Sequence, residues 1–185
     1  SPTTAEHVIA DLDGKIDAIV VSEPCEVGVE STVVTLTTNP PRLLRPGGIT
    51  LEQLKEVLPD IVVDKAVLAE PEKDKPVASP GMKYKHYSPK TKIVIIEADS
   101  QMFCDYVNRS VENCAAMCFS EDKSKISKPT IVYGNEADDM SQARELFDAL
   151  RLTDSLNVDV VYAHSPKKTG VGLAVYNRML RAAAF

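Results

Sequence analysis

The densest group of side chains that could bind an anion lies between Ser79 and Pro89 of this 185-residue chain. The run Ser-Pro-Gly-Met-Lys-Tyr-Lys-His-Tyr-Ser-Pro contains two lysines, two tyrosines and one of the chain's three histidines. Because proline fixes φ and favours an extended residue before it, the two Ser-Pro steps predict an extended strap and not a helix. A strap over an anionic ligand and a solvated linker whose tyrosines dock on a neighbour would both have this composition. The run by itself leaves both interpretations open.

Two shorter groups in the first third of the chain also have chemically useful side chains. The run Gly28-Val29-Glu30-Ser31-Thr32-Val33 places a carboxylate and two hydroxyls where a loop enters a predicted strand. Arg45 ends another predicted strand beside a Pro-Gly-Gly turn. A guanidinium is a planar fork suited to phosphate or carboxylate. Each group also has an ordinary explanation, as a β-forming threonine, a surface cation or turn glycines.

The overall composition excludes several classes of protein. With 44% apolar and 26% charged residues the chain is typical of a globular protein, and its net charge of −6 argues against a broad nucleic-acid surface. No apolar run approaches the roughly 20 residues that span a bilayer. The four cysteines lack Cys-x-x-Cys spacing and the histidines are scattered, so zinc is not indicated. We therefore expect a cytoplasmic protein with no membrane association, no metal site and little direct nucleic-acid binding.

Residues 1–63 are predicted to form a few short elements. A capping box at Thr3 predicts a first helix, with the Thr3 hydroxyl as its cap, and a second box at Thr50 predicts another helix to about Leu58. The apolar run Ala18–Val21 predicts a buried strand. Further strands are predicted at 31–37, 42–45 and 61–63. So few residues with so many strand edges would be marginal alone, and we expect them to belong to a larger sheet.

The composition changes after residue 63. Residues 64–91 are charged and proline-punctuated, which is typical of an interdomain linker, and the strap is its second half. Residues 92–185 alternate between strand and helix periods, which predicts a small Rossmann-like α/β domain with a parallel sheet covered on both faces. Its first helix should begin at Asp99 or Ser100. The residues predicted to face inward from that helix are Met102, Phe103, Tyr106, Val107 and Val111.

A glycine pair near the end of the chain allows a different function. Gly170-Val171-Gly172 lies between a predicted strand and the last predicted helix, as a nucleotide-binding loop would. No acidic partner follows at the usual distance, and a plain turn is the alternative. An independent nucleotide-binding domain and a non-catalytic interaction or regulatory module therefore both remain open.

Taken together, the motifs resemble one family, the long two-domain form of threonylcarbamoyl-AMP synthase. That form has a YrdC-like α+β twisted-sheet catalytic domain, a linker and a small C-terminal α/β domain. The resemblance covers the whole chain and implies that residues 1–63 are the C-terminal part of the catalytic domain. The motifs that carry it are Ser1-Pro2-Thr3-Thr4-Ala5, Gly28 to Val33, Leu44-Arg45-Pro46-Gly47, the Ser79–Pro89 strap and Asn177-Arg178-Met179-Leu180-Arg181-Ala182-Ala183.

The resemblance implies an activity and a set of binding residues. Members convert L-threonine, bicarbonate and ATP, with Mg²⁺, to threonylcarbamoyl-AMP and pyrophosphate. The product serves the N6-threonylcarbamoyladenosine modification of tRNA, so downstream tRNA-modification proteins are implied partners. Ser31 would help to hold L-threonine. Five residues would bind ATP: Ser1, Thr3, Arg45, Tyr84 and His86.

The chain also departs from the family pattern. A basic Lys-x-Arg element and a Ser-x-Asn element lie upstream of the Ser1 position in the family and are not in this sequence. Ser22 and Glu23 stand where members usually have glycine. We therefore expect the chain to be a C-terminal fragment that is inactive alone, and no catalytic residue or metal ligand is assigned to it.

Overall fold

The computed structural model describes residues 2–69 and 89–183. Ser1 and the strap residues Tyr84 and His86 lie outside these ranges, so their predicted contacts with ATP stay predictions. The described strands form two sheets, one of three strands in the order β1-β2-β3 and one of four in the order β4-β7-β5-β6.

The first sheet and its helices occupy residues 5–68. The elements are α1 (Ala5–Leu12), β1 (Val33–Thr35), β2 (Arg42–Arg45), α2 (Leu51–Val57), β3 (Val62–Val63) and α3 (Lys65–Leu68). Strand β1 runs antiparallel to β2, and β2 runs parallel to β3. Leu43, Ile61 and Val67 form a small core, which Leu173 from the far end of the chain completes. This small sheet is therefore packed against the last helix and does not stand alone.

Two helix starts in this region test the predicted caps. The box at Thr50 is confirmed, because Thr50 and Gln53 exchange side-chain and backbone hydrogen bonds at the start of α2. The predicted cap at Thr3 is wrong, since Thr4 is the N-cap of α1 and its hydroxyl accepts from the amide of His7. The amide of Thr3 instead donates to the His7 ring. Thr4, which lies one residue closer to the helix than Thr3, is thus the threonine that caps the free amide of His7.

The predicted buried strand at Ala18–Val21 is also wrong. These residues form no strand, and Val20 is 96% exposed. An apolar run becomes a strand only where a neighbouring strand accepts its backbone. Within the described part of the chain, no strand pairs with this run. The sequence has the apolar pattern of a strand, but none of the described strands lies beside it to accept its hydrogen bonds.

The second sheet confirms the predicted α/β arrangement. Its elements are β4 (Lys92–Ile96), α4 (Ser100–Arg109), β5 (Cys114–Cys118), β6 (Thr130–Val132), α5 (Asp139–Thr153), β7 (Val160–His164) and α6 (Gly172–Ala183). All strand pairs are parallel. Alternate residues of β5 point to opposite faces, so Ala115 and Met117 pack with α5 and α6, whereas Ala116 and Cys118 pack with α4. Both faces of the sheet are therefore covered.

Helix α4 shows how far the sequence pattern reached. Asp99 is its N-cap and accepts a hydrogen bond of 2.8 Å from the amide of Met102. Phe103 and Val107 are buried as predicted, and Cys104 joins them. The inward positions predicted for three residues are wrong, since each is at least half exposed: Met102, Tyr106 and Val111. The helix ends at Arg109, before Val111. Only one narrow face of α4 packs against the sheet, so fewer of its apolar residues are buried than the sequence pattern predicted.

The chain re-enters the described region beside the end of α5. Asp154 accepts hydrogen bonds from the amides of Lys90 and Thr91, at 3.1 and 2.9 Å. Burial raises the pKa of the Asp154 carboxyl, but these amide bonds outweigh it and leave the pKa below its ordinary value. The start of β4 is thus anchored to the second sheet's helical layer.

Candidate functional site

The two residues predicted to bind different substrates lie in direct contact. Arg45, the last residue of β2, donates from Nε to the Ser31 carbonyl at 2.9 Å and from Nη2 to Ser31 Oγ at 3.0 Å. The antiparallel register places Val33 opposite Arg45, so the residues just before β1 lie beside the end of β2. Ser31 is exposed and Arg45 is half-buried. An accessible hydroxyl and a guanidinium therefore share one surface.

The turn after β2 packs against the same run. A Cβ atom at Gly47 would lie 2.5 Å from the Thr32 amide nitrogen, so only glycine allows the two backbones to approach this closely. The Thr32 hydroxyl accepts from the Ile49 amide at 3.1 Å and donates to its carbonyl at 2.7 Å. Thr32 thus joins the run to the turn, and Ser31 is the hydroxyl that faces outward.

The carboxylate of this run is paired with a helix from the other end of the chain. Glu30 Oε2 lies 2.6 Å from Nε of Arg178 in α6, and the Arg178 side chain is only 7% exposed. Burial lowers the pKa of the Arg178 guanidinium, and the Glu30 charge partly opposes that shift. The sequence left open whether Asn177 and Arg178 are exposed, and the structure buries both. The signal that could have indicated this was a small set of polar residues inside a mostly apolar terminal helix.

Helix α5 supports the start of the run. Gly28 has φ +76°, and a Cβ there would lie 2.5 Å from Cα of Arg144. Val29 packs against the core of the second sheet. Farther along α5, Arg151 forms two hydrogen bonds with the carboxylate of Asp11, at 3.1 and 2.7 Å. The run that carries Ser31 is therefore held between the small sheet and the helices of the second sheet.

Thr3 lies in a different cleft. This cleft of about 210 Å³ lies between the start of α1 and residues 19–25, and its described lining contains neither Ser31 nor Arg45. The amide of Thr3 donates to His7 Nδ1 at 3.2 Å, and its carbonyl accepts from the amide of Cys25 at 3.0 Å. His7 Nε2 lies 3.3 Å from a carboxylate oxygen of Asp148 in α5. Sequence reasoning missed His7, which is the residue that orients Thr3.

The glycine pair before α6 is occupied by the protein's own carboxylates. The amide of Gly172 donates to Asp139 Oδ2 at 3.2 Å, and the amide of Gly170 donates to Glu52 Oε1 at 3.4 Å. A phosphate would have to displace both anions and would be repelled by them. The contacts therefore favour the plain turn over a nucleotide loop.

The described residues contain neither a metal-binding cluster nor a membrane-spanning helix. Between residues 2–69 and 89–183, no group of three or more histidine, cysteine, aspartate or glutamate side chains is arranged to hold a metal ion. No helix in these ranges has the length and apolar character needed to cross a membrane.

The fold and the site define an α/β protein in which a parallel four-stranded sheet supports an arginine–serine surface on a smaller sheet. Residues 49–184 match the family model described as threonylcarbamoyl-AMP synthase, C-terminal domain, and residues 1–47 match a second model described as telomere recombination. The chain belongs to the threonylcarbamoyl-AMP synthase family. The resemblance seen in the sequence motifs is confirmed.

Relatives and solved structures support the same conclusion. The chain is 41% identical to threonylcarbamoyl-AMP synthase of Bacillus subtilis over 99% of its length and 37% identical to that of Pyrococcus abyssi over all of it. It spans about half the length of these relatives, 53% and 54%. The crystal structure of P. abyssi Sua5 complexed with L-threonine superposes with a TM-score of 0.79 at 35% identity, covering 99% of this chain and 54% of that one. A variant of P. abyssi Sua5 gives a TM-score of 0.81 at 34% identity, covering 99% and 53%.

Proposed function

We propose that this chain forms part of a threonylcarbamoyl-AMP synthase, which converts L-threonine, bicarbonate and ATP to threonylcarbamoyl-AMP and pyrophosphate. The product would serve the N6-threonylcarbamoyladenosine modification of tRNA, through downstream modification proteins in the cytoplasm. Family membership and a solved relative complexed with L-threonine support the reaction and one substrate. Because the chain spans about half of its relatives, the complete activity is proposed for the longer protein.

The contact between Arg45 and Ser31 is the observation that carries the proposal. Ser31 Oγ would bind L-threonine, and Arg45 would bind the phosphates of ATP. The reaction brings a carboxylate, a carbamate and a triphosphate together, so it needs fixed donors and positive charge at one place. A guanidinium held 3.0 Å from the serine hydroxyl meets that need without reorganisation during the reaction.

The other nucleotide contacts are proposed at Ser1, Thr3, Tyr84 and His86. Thr3 is held by His7 and Cys25 at the edge of a cleft, a fixed position that suits a lining residue. Mg²⁺ would accompany ATP and screen its phosphate charge. The one carboxylate in the Gly28–Val33 run, Glu30, is paired with Arg178 and is not proposed as a ligand of the metal.

We further propose that residues 1–63 belong to the catalytic domain and that the 185 residues alone do not turn over. The match of residues 1–47 to a separate family model supports a distinct origin for this part. The exposed apolar run at 18–21 supports a larger sheet, because its backbone is unpaired by any described strand. ATP-dependent pyrophosphate release with L-threonine and bicarbonate tests this, with the B. subtilis relative as the positive control. Turnover by the 185 residues at a rate near that of the relative would refute it.

Nucleotide binding gives a sharper test of the site. The chain is titrated with threonylcarbamoyl-AMP and with ATP by calorimetry, and Arg45→Ala is compared with Arg42→Ala. Arg42 is the matched control, since it begins the same strand and pairs with Asp64 at 3.6 Å instead of with Ser31. Loss of binding only with Arg45→Ala supports the proposal. Equal binding by both variants refutes the role of Arg45, and no binding by the unsubstituted chain favours a non-catalytic module.

A further inference from the structure

Helix α6 is buried along almost its whole length and yet carries three polar side chains. Residues 172–182 are all buried, among them Asn177, Arg178 and Arg181. Arginine is seldom buried unless it is paired, because removing its charge from water costs far more than its stem gains. The partners of these three residues therefore show what the helix holds.

Two of the three hold α3. Asn177 Nδ2 donates to the carbonyl of Val67 at 2.7 Å, and Arg181 donates to the carbonyl of Ala66. Arg178 reaches a different segment, since its Nε lies 2.6 Å from Glu30 Oε2. Arg178 and Arg181 are equally buried, at 7% exposure each, and lie one helical turn apart. They form a natural pair for comparison.

Glu30 immediately precedes Ser31, the residue proposed to contact L-threonine, in the sequence. Arg45 binds both the carbonyl and the hydroxyl of Ser31 from the small sheet. Gly47 packs against the backbone of the same run. Arg178 takes the Glu30 carboxylate from the side of α6. The run that carries Ser31 is therefore contacted from two sides, one of them a helix more than 140 residues away in sequence.

The charges of Arg178, Glu30 and Arg45 affect one another at the contact between Arg178 and Glu30. Burial lowers the pKa of Arg178, proximity to Arg45 lowers it further, and Glu30 raises it. The Glu30 carboxylate thus opposes the effects that burial and the nearby Arg45 charge have on the pKa of Arg178. Removing one member of a buried ion pair leaves the other uncompensated, so the effect should appear first in the residues bonded to it.

We propose that Arg178 is a positioning residue of the L-threonine site, acting through Glu30 on Ser31. This inference rests on the proposed function, in which Ser31 contacts L-threonine. The C-terminal helix then does more than cover the sheet: it sets the geometry of a substrate contact made by another segment. Substrate affinity depends on a side chain that does not touch the substrate.

The test compares Arg178→Met and Arg178→Lys with the control Arg181→Met in the 185-residue chain. Three quantities are measured for each: the melting temperature, amide hydrogen exchange at residues 29–33, and the dissociation constant for L-threonine. We expect Arg178→Met to speed exchange at 29–33 and to weaken threonine binding by about ten-fold, the usual scale for losing a charge-assisted hydrogen bond. Arg178→Lys should have a smaller effect on amide exchange and on threonine binding than Arg178→Met, because lysine keeps the positive charge. Arg181→Met should lower the melting temperature without either effect.

The outcomes separate this inference from the proposed function. Unchanged exchange and unchanged affinity in Arg178→Met would overturn it, as would equal effects from Arg181→Met, which would indicate general destabilisation. If the unsubstituted chain binds no L-threonine, the proposed threonine contact on this chain fails. Faster exchange at 29–33 in Arg178→Met alone would then still support the positioning of Ser31 through Glu30, and unchanged exchange would overturn it.

Discussion

Replacing Gly28 by alanine should separate the run that carries Ser31 from helix α5. Gly28 has φ +76°, a left-handed conformation that L-residues rarely adopt. A Cβ there would lie 2.5 Å from Arg144 Cα and 2.7 Å from the Ala143 carbonyl carbon. Both are backbone atoms of a helix, so no side chain can rotate to make room. The run or the helix must move.

The magnitude follows from two separate costs. Alanine in the left-handed region costs about 1–2 kcal/mol. Inserting a methyl group into a packed site costs about 1–3 kcal/mol more. Restricting the unfolded chain returns about 0.4–1 kcal/mol. We therefore expect Gly28→Ala to lower the free energy of unfolding by about 1–5 kcal/mol, a large part of the stability of a typical domain.

Gly14→Ala is the matched control. Gly14 has φ +72°, nearly the same backbone conformation, but apart from its two chain neighbours no described residue has an atom within 4 Å of a Cβ placed there. Gly14→Ala carries the conformational cost alone, so the loss should be at most about 1.5 kcal/mol. The difference between the two variants isolates the contact with α5.

Urea unfolding followed by far-UV circular dichroism measures both variants, since the chain has no tryptophan. The free energies are compared at equal slope, because a changed slope would indicate an altered denatured state. Losses that agree within about 0.5 kcal/mol would refute the reasoning. They would mean that the Gly28 run does not rest on α5.

Three further results are expected. Ellman's reagent should modify one thiol quickly in the native state, because Cys25 is exposed and the other cysteines are buried, and burial raises the pKa of Cys118 to about 12; several fast thiols would contradict this packing. The Arg151 hydrogen bonds hold the pKa of Asp11 below its ordinary value, so up to about 1 kcal/mol of stability should be present at neutral pH and lost as pH falls below about 4. Asp11→Asn should remove that pH dependence, and an unchanged acid titration of stability would contradict it. Asn177→Ala should cost about 1–3 kcal/mol in urea unfolding, because the Val67 carbonyl stays buried without its donor, and a loss under 0.5 kcal/mol would count against that bond.

Much of the second sheet could be predicted from local pattern. The alternation of strand and helix periods was sufficient to predict strands β4 to β7 and that they form a parallel sheet. Asp99 and the Thr50 box are local signals, since a cap acts within three residues. Strand β2 was predicted at 42–45 and lies at Arg42–Arg45. These features are determined by residues only a few positions away, so they can be predicted from the sequence alone.

The motifs also indicated the family and pointed to Ser31 and Arg45 as candidate site residues, but they did not predict the contact between the two. The register of β1 and β2 joins those two side chains, and the packing of α6 joins Glu30 to Arg178. The number of residues between two segments does not tell how close they lie in the folded protein when they are far apart in sequence. The run at Ala18–Val21 shows the same limit, because its apolar pattern predicts burial that only a partner strand can provide. Local residue types therefore determined the elements and the family, and the tertiary structure alone decided which charges meet and how the serine is held.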